Sequence, residues 1–145
     1  MKKMMILLLI LSSMSLSACS FLEGANQSLQ YAEQAKEHLN KLTNFAEQAP
    51  QMIEEALTNP EAKQKLEAQL IQLKKDIEQF NLINAPQIAK DLHQQLVDKN
   101  KELLQEINNV LADGHLALDQ LENSPIISTI NDITSLINRI QNLGL

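Results

Sequence analysis

The sequence predicts an all-α fold: an elongated up-down antiparallel helical bundle with about four main helices and short connecting helices. Apolar residues recur at steps of three and four, and no stretch alternates apolar with polar residues as a half-buried strand would. Helix formers dominate, and the prolines fall where the periodic segments break.

The stripe of the first long segment is Leu22, Ala25, Leu29, Ala32, Ala35, Leu39, Leu42, Ala46 and Ala49. Pro50 ends or kinks it, because proline lacks an amide proton and crowds the preceding turn. Ile53 and Ala56 carry the stripe onward, so a short continuation over 51–57 is expected. Asn59-Pro60 restarts the helix as cap and first-turn proline. Leu66, Leu70, Leu73, Ile77 and Phe80 follow in a four-three-four-three pattern. Asn84-Ala85-Pro86 gives a tight break and another first-turn proline. The third helix carries Ala89, Leu92, Leu96, Leu103, Ile107 and Val110. Its core position between Leu96 and Leu103 offers only Lys99 or Asn100, a polar group of the kind that fixes helix register. Asp113-Gly114 stops it, glycine suiting the left-handed position past a helix end.

A partly helical connector, His115 to Asn123, leads to Ser124-Pro125, where Ser124 is expected to cap the last helix. That helix has the stripe Ile126, Ile130, Ile133, Ile137, Ile140 and Leu143, widened by Ile127 and Leu136, with Gly144 at its end. Short turns make sequential helices antiparallel neighbours. At ~1.5 Å per residue the first three would each span roughly 35–40 Å.

The start of the chain has a separate logic. Lys2 and Lys3 precede the unbroken apolar run Met4 to Leu11, and small residues follow, which together make a secretory signal. Its end, Leu16-Ser17-Ala18-Cys19, resembles the lipobox of bacterial lipoproteins. The resemblance implies lipid attachment at Cys19, recognition of Leu16, Ser17 and Ala18 by a signal peptidase, and removal of residues 1–18; the remaining 19–145 is long enough to bury one core and is expected to form a single bundle domain. The segment from Met4 to Ala18, diluted by serines at 12, 13, 15 and 17, is shorter than the ~20 apolar residues a spanning helix needs. The expected anchor is therefore lipid, and two acyl chains suffice where one is marginal. No Ser/Gly-rich or Pro-rich linker follows Cys19, so the bundle should sit close to the bilayer, with Phe21 and Leu22 either dipping into the headgroups or starting the core. Cys19 is the only cysteine, so no disulfide within the chain supports the fold.

Without Lys2 and Lys3 the chain holds ten basic and eighteen acidic residues, a formal charge of −8 against −6 for the whole sequence. That balance argues against nucleic acid, which needs clustered cations, and against docking on anionic lipid by charge. Tryptophan is absent, Tyr31 is the only tyrosine, and Phe21, Phe45 and Phe80 are the only phenylalanines, so stacking platforms are lacking. No G-x-G-type phosphate loop occurs.

Catalytic patterns are missing too. No histidine has a glutamate three residues before it, which removes the Glu-x-x-His pattern of bundle di-iron centres. His38, His93 and His115 are scattered, whereas metal sites need clustered ligands. Glu54-Glu55, Glu102 with Glu106, and Lys74-Lys75 fall on expected solvated faces. No catalytic, cofactor-binding or metal-ligating residue is assigned, and no enzyme activity is expected. The alanines of the first helix allow close packing or, less simply, leave a cavity.

The segments Asn44-Phe45-Ala46-Glu47-Gln48-Ala49-Pro50, Ala85-Pro86 with Ile88-Ala89, Leu121-Glu122-Asn123-Ser124 and Thr129-Ile130-Asn131-Asp132-Ile133 are similar to a family of small lipoproteins of Gram-positive, Bacillus-like bacteria. The resemblance implies the outer leaflet of the cytoplasmic membrane and no assigned activity. In a Gram-negative source, Ser20 after Cys19 would resemble an outer-membrane sorting signal. The function expected is a membrane-tethered module, attached through the lipid on Cys19, that contacts another envelope protein. The alternative is a small binding protein or chaperone for an apolar ligand or lipid inside the bundle.

Overall fold

The computed structural model describes residues 15–111 and 114–141, with side chains over 26–111 and 114–138. The apolar run Met4 to Leu11, Asp113, Leu143 and Gly144 lie outside the described residues, as do the side chains of Phe21, Leu22 and Ile140. Five α-helices and no strand occur among the described residues: α1 (Ser15–Thr58), α2 (Pro60–Asn81), α3 (Lys90–Val110), α4 (Leu118–Glu122) and α5 (Ile126–Gln141). A 3-10 turn, Gln87–Ala89, leads into α3.

α1 has 44 residues and continues through Pro50 as one helix. At ~1.5 Å per residue it is about 66 Å long, well beyond the expected length. Pro50 points to solvent, while Ala49 and Ala56 on the inner side stay buried. The ring therefore disturbs the outer face, and packing of the inner face carries the helix past the missing hydrogen bond. Pro50→Ala is expected to raise the unfolding free energy by about 1 kcal/mol or more, within the ~3 kcal/mol that an interior proline forfeits. Urea denaturation of the two chains measures it.

The buried face of α1 also differs from the predicted stripe. Leu29 is 60% exposed, and Leu39 and Ala46 are only partly buried. The deep positions are Tyr31, Ala35, His38, Leu42, Phe45 and Ala49, in steps of four and three. α2 follows expectation in full. Asn59 accepts hydrogen bonds from the amides of Glu61 at 2.9 Å and Ala62 at 3.4 Å, Pro60 fills the first turn, and Leu66, Leu70, Leu73, Ile77 and Phe80 are buried.

Pro86 opens the 3-10 turn rather than the first turn of α3, because Ala89 leaves helical geometry at φ −105°, ψ 1°. α3 ends at Val110, and Gly114 takes φ +81° as the sequence predicts. The connector is pinned where the Leu116 amide donates to Glu67 of α2 at 2.8 Å. Ser124 does not cap α5. Its hydroxyl donates to the Leu121 carbonyl at 2.8 Å and so closes the end of α4. Ile126, Ile130, Ile133 and Ile137 of α5 are all essentially inaccessible.

α1 packs on α2 and α5, and α3 packs on α5 and α2. α1 and α3 therefore sit on one diagonal of a four-helix bundle. Cross-links between neighbours run in opposite directions: Lys74 to Asn108 and Asn100 to Asn81 join α2 with α3, while Glu106 to Thr129 and Lys99 to Asp132 join α3 with α5. The up-down order read from the short connections is the order observed.

Candidate functional site

Two features of the bundle go beyond packing: a polar ladder through its centre and an amide-lined seam on its surface. The ladder is set by register. Tyr31 and His38 lie seven residues apart on α1, as do His93 and Asn100 on α3. Equal offsets of 62 residues pair Tyr31 with His93 and His38 with Asn100 across the diagonal. Parallel helices one heptad in step produce this arrangement.

Tyr31 Oη lies 3.1 Å from His93 Nδ1, and the rings meet edge to face. His38 Nε2–H donates to Asn100 Oδ1 at 3.3 Å, and Asn100 Nδ2 donates to Asn81 Oδ1 at 2.7 Å. His38 stacks flat on Phe80, with centroids 4.1 Å apart. Phe80 also leans on His93 at 5.4 Å, so the four rings form one contiguous cluster. Burial drives the His38 pKa down to about 4, opposed by the hydrogen bond to Asn100. Burial likewise lowers the pKa of His93, and it raises the Tyr31 hydroxyl to about 12. Both imidazoles are therefore neutral at pH 7, each with one donor and one acceptor to satisfy.

Among the described residues no carboxylate is hydrogen-bonded to His38 or His93, although Glu37 and Asp76 line the surface depression that His38 also lines. The physical role of the cluster is register: Asn100 is wholly inaccessible, and a slip of either helix would orphan its hydrogen bonds. Asn100→Ala leaves the His38 donor unpaired in the core and is expected to cost about 1–3 kcal/mol. Leucine at both His38 and Asn100 should cost less than the two single changes together, and a double-mutant cycle in urea reads that coupling.

On the outside, three depressions of about 260, 270 and 260 Å³ follow one another along the α1–α2 seam. Lys41 and Asp76 are common to the first two, and Gln34 to the second and third. Lys41 bridges the seam to Asp76 at 3.2 Å and pairs with Glu37 at 3.0 Å. The walls are otherwise mainly glutamine and asparagine, over a floor that includes Phe45 and Leu73.

Leu16, Ser17, Ala18 and Cys19 all lie on the first turns of α1. Among the described residues no helix is long and apolar enough to cross a membrane, and no three His, Cys, Asp or Glu side chains group as metal ligands. His115 is exposed on the connector. Glu54 and Glu55 are exposed, but Glu106 is half-buried and accepts from Thr129 at 2.8 Å, because it falls at the α3–α5 contact. Ala35, Ala49 and Ala56 are packed into the core, and these depressions lie on the surface rather than beside them.

Sequence reasoning passed over Tyr31, His38 and His93 as core residues. The signal was present, since Tyr31, His38 and Phe45 recur every seven residues, but histidine does not count as apolar.

Residues 31–143 match a family of unknown function, DUF6376. The chain is 33% identical to the uncharacterized lipoprotein YybP of Bacillus subtilis (strain 168), over 97% of this chain and 99% of that one. No solved structure matches.

Proposed function

We infer that this chain, which belongs to the DUF6376 family, is a lipid-tethered, non-enzymatic module that acts by contacting another protein of the cell envelope. The observation that carries this reading is the continuity of α1. Cys19 lies on the same unbroken helix whose later turns, from Tyr31 to Ala56, supply the core. A diacylglyceryl group on that cysteine fixes the height of the bundle above the bilayer, with no flexible linker to blur it. Only ~15 Å of helix separates Cys19 from Leu29.

Supporting features lie at the same end. Leu82 and Ile88, in the α2–α3 turn, are 83% and 63% exposed beside the lipid-bearing end of α1, and no acidic residue occurs between Glu78 and Asp91. A turn without acidic residues, its one charge the cation Lys90, avoids repulsion from an anionic bilayer, while the remaining surface keeps its acidic balance. The name of the relative, a lipoprotein, agrees with the motif at Cys19. In this reading residues 1–18 are removed, 19–145 form one domain, and the module sits on the extracytoplasmic face of the cell membrane, or on the outer membrane of a Gram-negative source.

Cross-linking in intact cells followed by mass spectrometry tests it. The native chain should capture one dominant envelope protein, and Cys19→Ser should lose most of that capture. Absence of a partner, together with full replacement of the native chain by the unlipidated one, would overturn the reading.

A further inference from the structure

The α2–α3 turn closes the bundle at the end where α1 bears the lipid. We propose that Ile88, at the tip of this turn, dips into the headgroup layer beside the lipid on Cys19 and so sets the lean of the bundle on the bilayer; the proposal rests on the tether inferred above. Helix register supplies the heights. His93 lies level with Tyr31 across the diagonal, and the same offset of 62 residues places Ile88 level with Asn26. α5, joined antiparallel to α3 through Asp132 and Lys99, is described as far as Gln141, level with the start of α3. Among the described residues α1 therefore projects past its neighbours from Asn26 back to Cys19, a helical neck of ~10 Å. A diacylglyceryl group holds Cys19 at the base of the headgroup layer, which is ~5–7 Å thick. An upright bundle thus leaves Ile88 a few ångströms above that layer. The turn stands ~10 Å off the α1 axis, so a lean of ~30° toward it brings Ile88 within ~4 Å of the height of Cys19.

The chemistry of the tip agrees. Ile88 is 63% exposed, while the next residue, Ala89, is wholly buried and its amide donates to the Pro86 carbonyl at 2.9 Å. The turn is thus fastened to the core with an isoleucine held outward, where water gives it no favourable burial. Lys90 is the sole charge between Glu78 and Asp91, and Glu23 the sole charge between Cys19 and Asn26. Neck and turn together are neutral, so the acidic excess that an anionic bilayer repels lies on the rest of the domain. One isoleucine is too little to hold a protein on a membrane. The lipid already confines the chain there, however, and a weak second contact within a tethered molecule acts at high effective concentration. It selects an orientation rather than supplying attachment. Other exposed apolar residues stand too high for this role. The Lys41–Asp76 bridge sets Leu82 level with Ala35, ~24 Å along the helix from Cys19, and Leu57 lies ~57 Å along it.

Cys19 is the sole cysteine and its thiol is taken by the lipid, so a cysteine introduced elsewhere accepts a thiol-reactive fluorophore alone. The mature lipidated chain carrying Ile88→Cys, Leu82→Cys or Leu57→Cys is labelled and incorporated into vesicles of phosphatidylcholine and phosphatidylglycerol that contain headgroup-spin-labelled lipid. Quenching should be about fivefold stronger for Ile88→Cys than for the other two, since it requires approach to a layer only ~5–7 Å thick. A fluorophore on Gln87→Cys leaves Ile88 in place and should be quenched as well. Adding Ile88→Asp should reduce that quenching about threefold, with unchanged circular dichroism, because the anionic surface repels a carboxylate. Equal quenching of Ile88→Cys and Leu57→Cys would overturn the contact. Equal quenching of Ile88→Cys and Leu82→Cys would overturn the lean, since the bundle would then lie on its side. Indifference of Gln87→Cys to Ile88→Asp would remove Ile88 from the contact. In cells the two readings separate. Capture of a partner, without quenching of Ile88→Cys, overturns the bilayer contact and leaves the envelope role standing. Quenching of Ile88→Cys with no partner in cells does the reverse.

Discussion

Cys19→Ser is expected to abolish incorporation of a labelled fatty acid and to move the protein out of the detergent phase on phase partition. The effect is all-or-none, because the thiol is the only atom in the chain that can carry a thioether-linked lipid. Each acyl methylene buried contributes about 0.8 kcal/mol, so losing two chains removes the dominant attachment. Whatever attachment remains depends on Met4 to Ala18, which is shorter than the ~20 apolar residues of a spanning helix. Alkaline washing of membranes separates that residue of binding from a lipid anchor. Undiminished labelling in Cys19→Ser would place the lipid elsewhere.

Acid is expected to destabilise the bundle through its centre. His38 titrates near 4 in the folded chain and near 6.5 when unfolded. Below pH 6.5 the unfolded chain takes up a proton that the folded chain refuses, so stability falls as the pH drops from 6.5 to 4 and levels off beneath that. At ~1.4 kcal/mol per pH unit, the loss attributable to His38 is about 3 kcal/mol. Burial acts on His93 in the same direction and deepens the fall. His38→Gln keeps an amide donor toward Asn100 but does not titrate, so its stability should decline less steeply across that window. Urea midpoints at pH 7, 5.5 and 4 for both chains give the comparison. Equal declines would mean that His38 is not buried neutral.

How much of this was legible in the sequence depended on the residue types at each interface. α2 and α5 were readable because Leu66 to Phe80 and Ile126 to Ile137 are large, apolar and regularly spaced. Asn59 and Gly114 were readable because a cap and a left-handed turn each demand a particular chemistry. α1 was read half correctly: Ala35, Leu42, Ala49 and Ala56 are buried as expected, but Tyr31, His38 and Phe45 take the places expected of Ala32, Leu39 and Ala46. Its alanines lie on several faces and pull the apparent stripe toward Leu29, while the deepest positions include a tyrosine and a histidine. Ser124 was assigned to the wrong helix because a serine between two helices can serve either. A polar intrusion was expected at Lys99 or Asn100; the structure buries Asn100, whose partners His38 and Asn81 lie on other helices that only the assembled bundle brings together. The amide-lined seam was invisible for the same reason. Glutamines on α1 and α2 look like ordinary solvated positions until the two helices align their walls.

The central claim is that Cys19, which the lipobox resemblance singles out, carries the lipid. Mass spectrometry of the N-terminal peptide, from protein extracted out of its native membrane, tests that claim most directly. The expected peptide begins at Cys19 and carries the mass of a diacylglyceryl group. A chain that begins at Met1, or an unmodified Cys19, would contradict it.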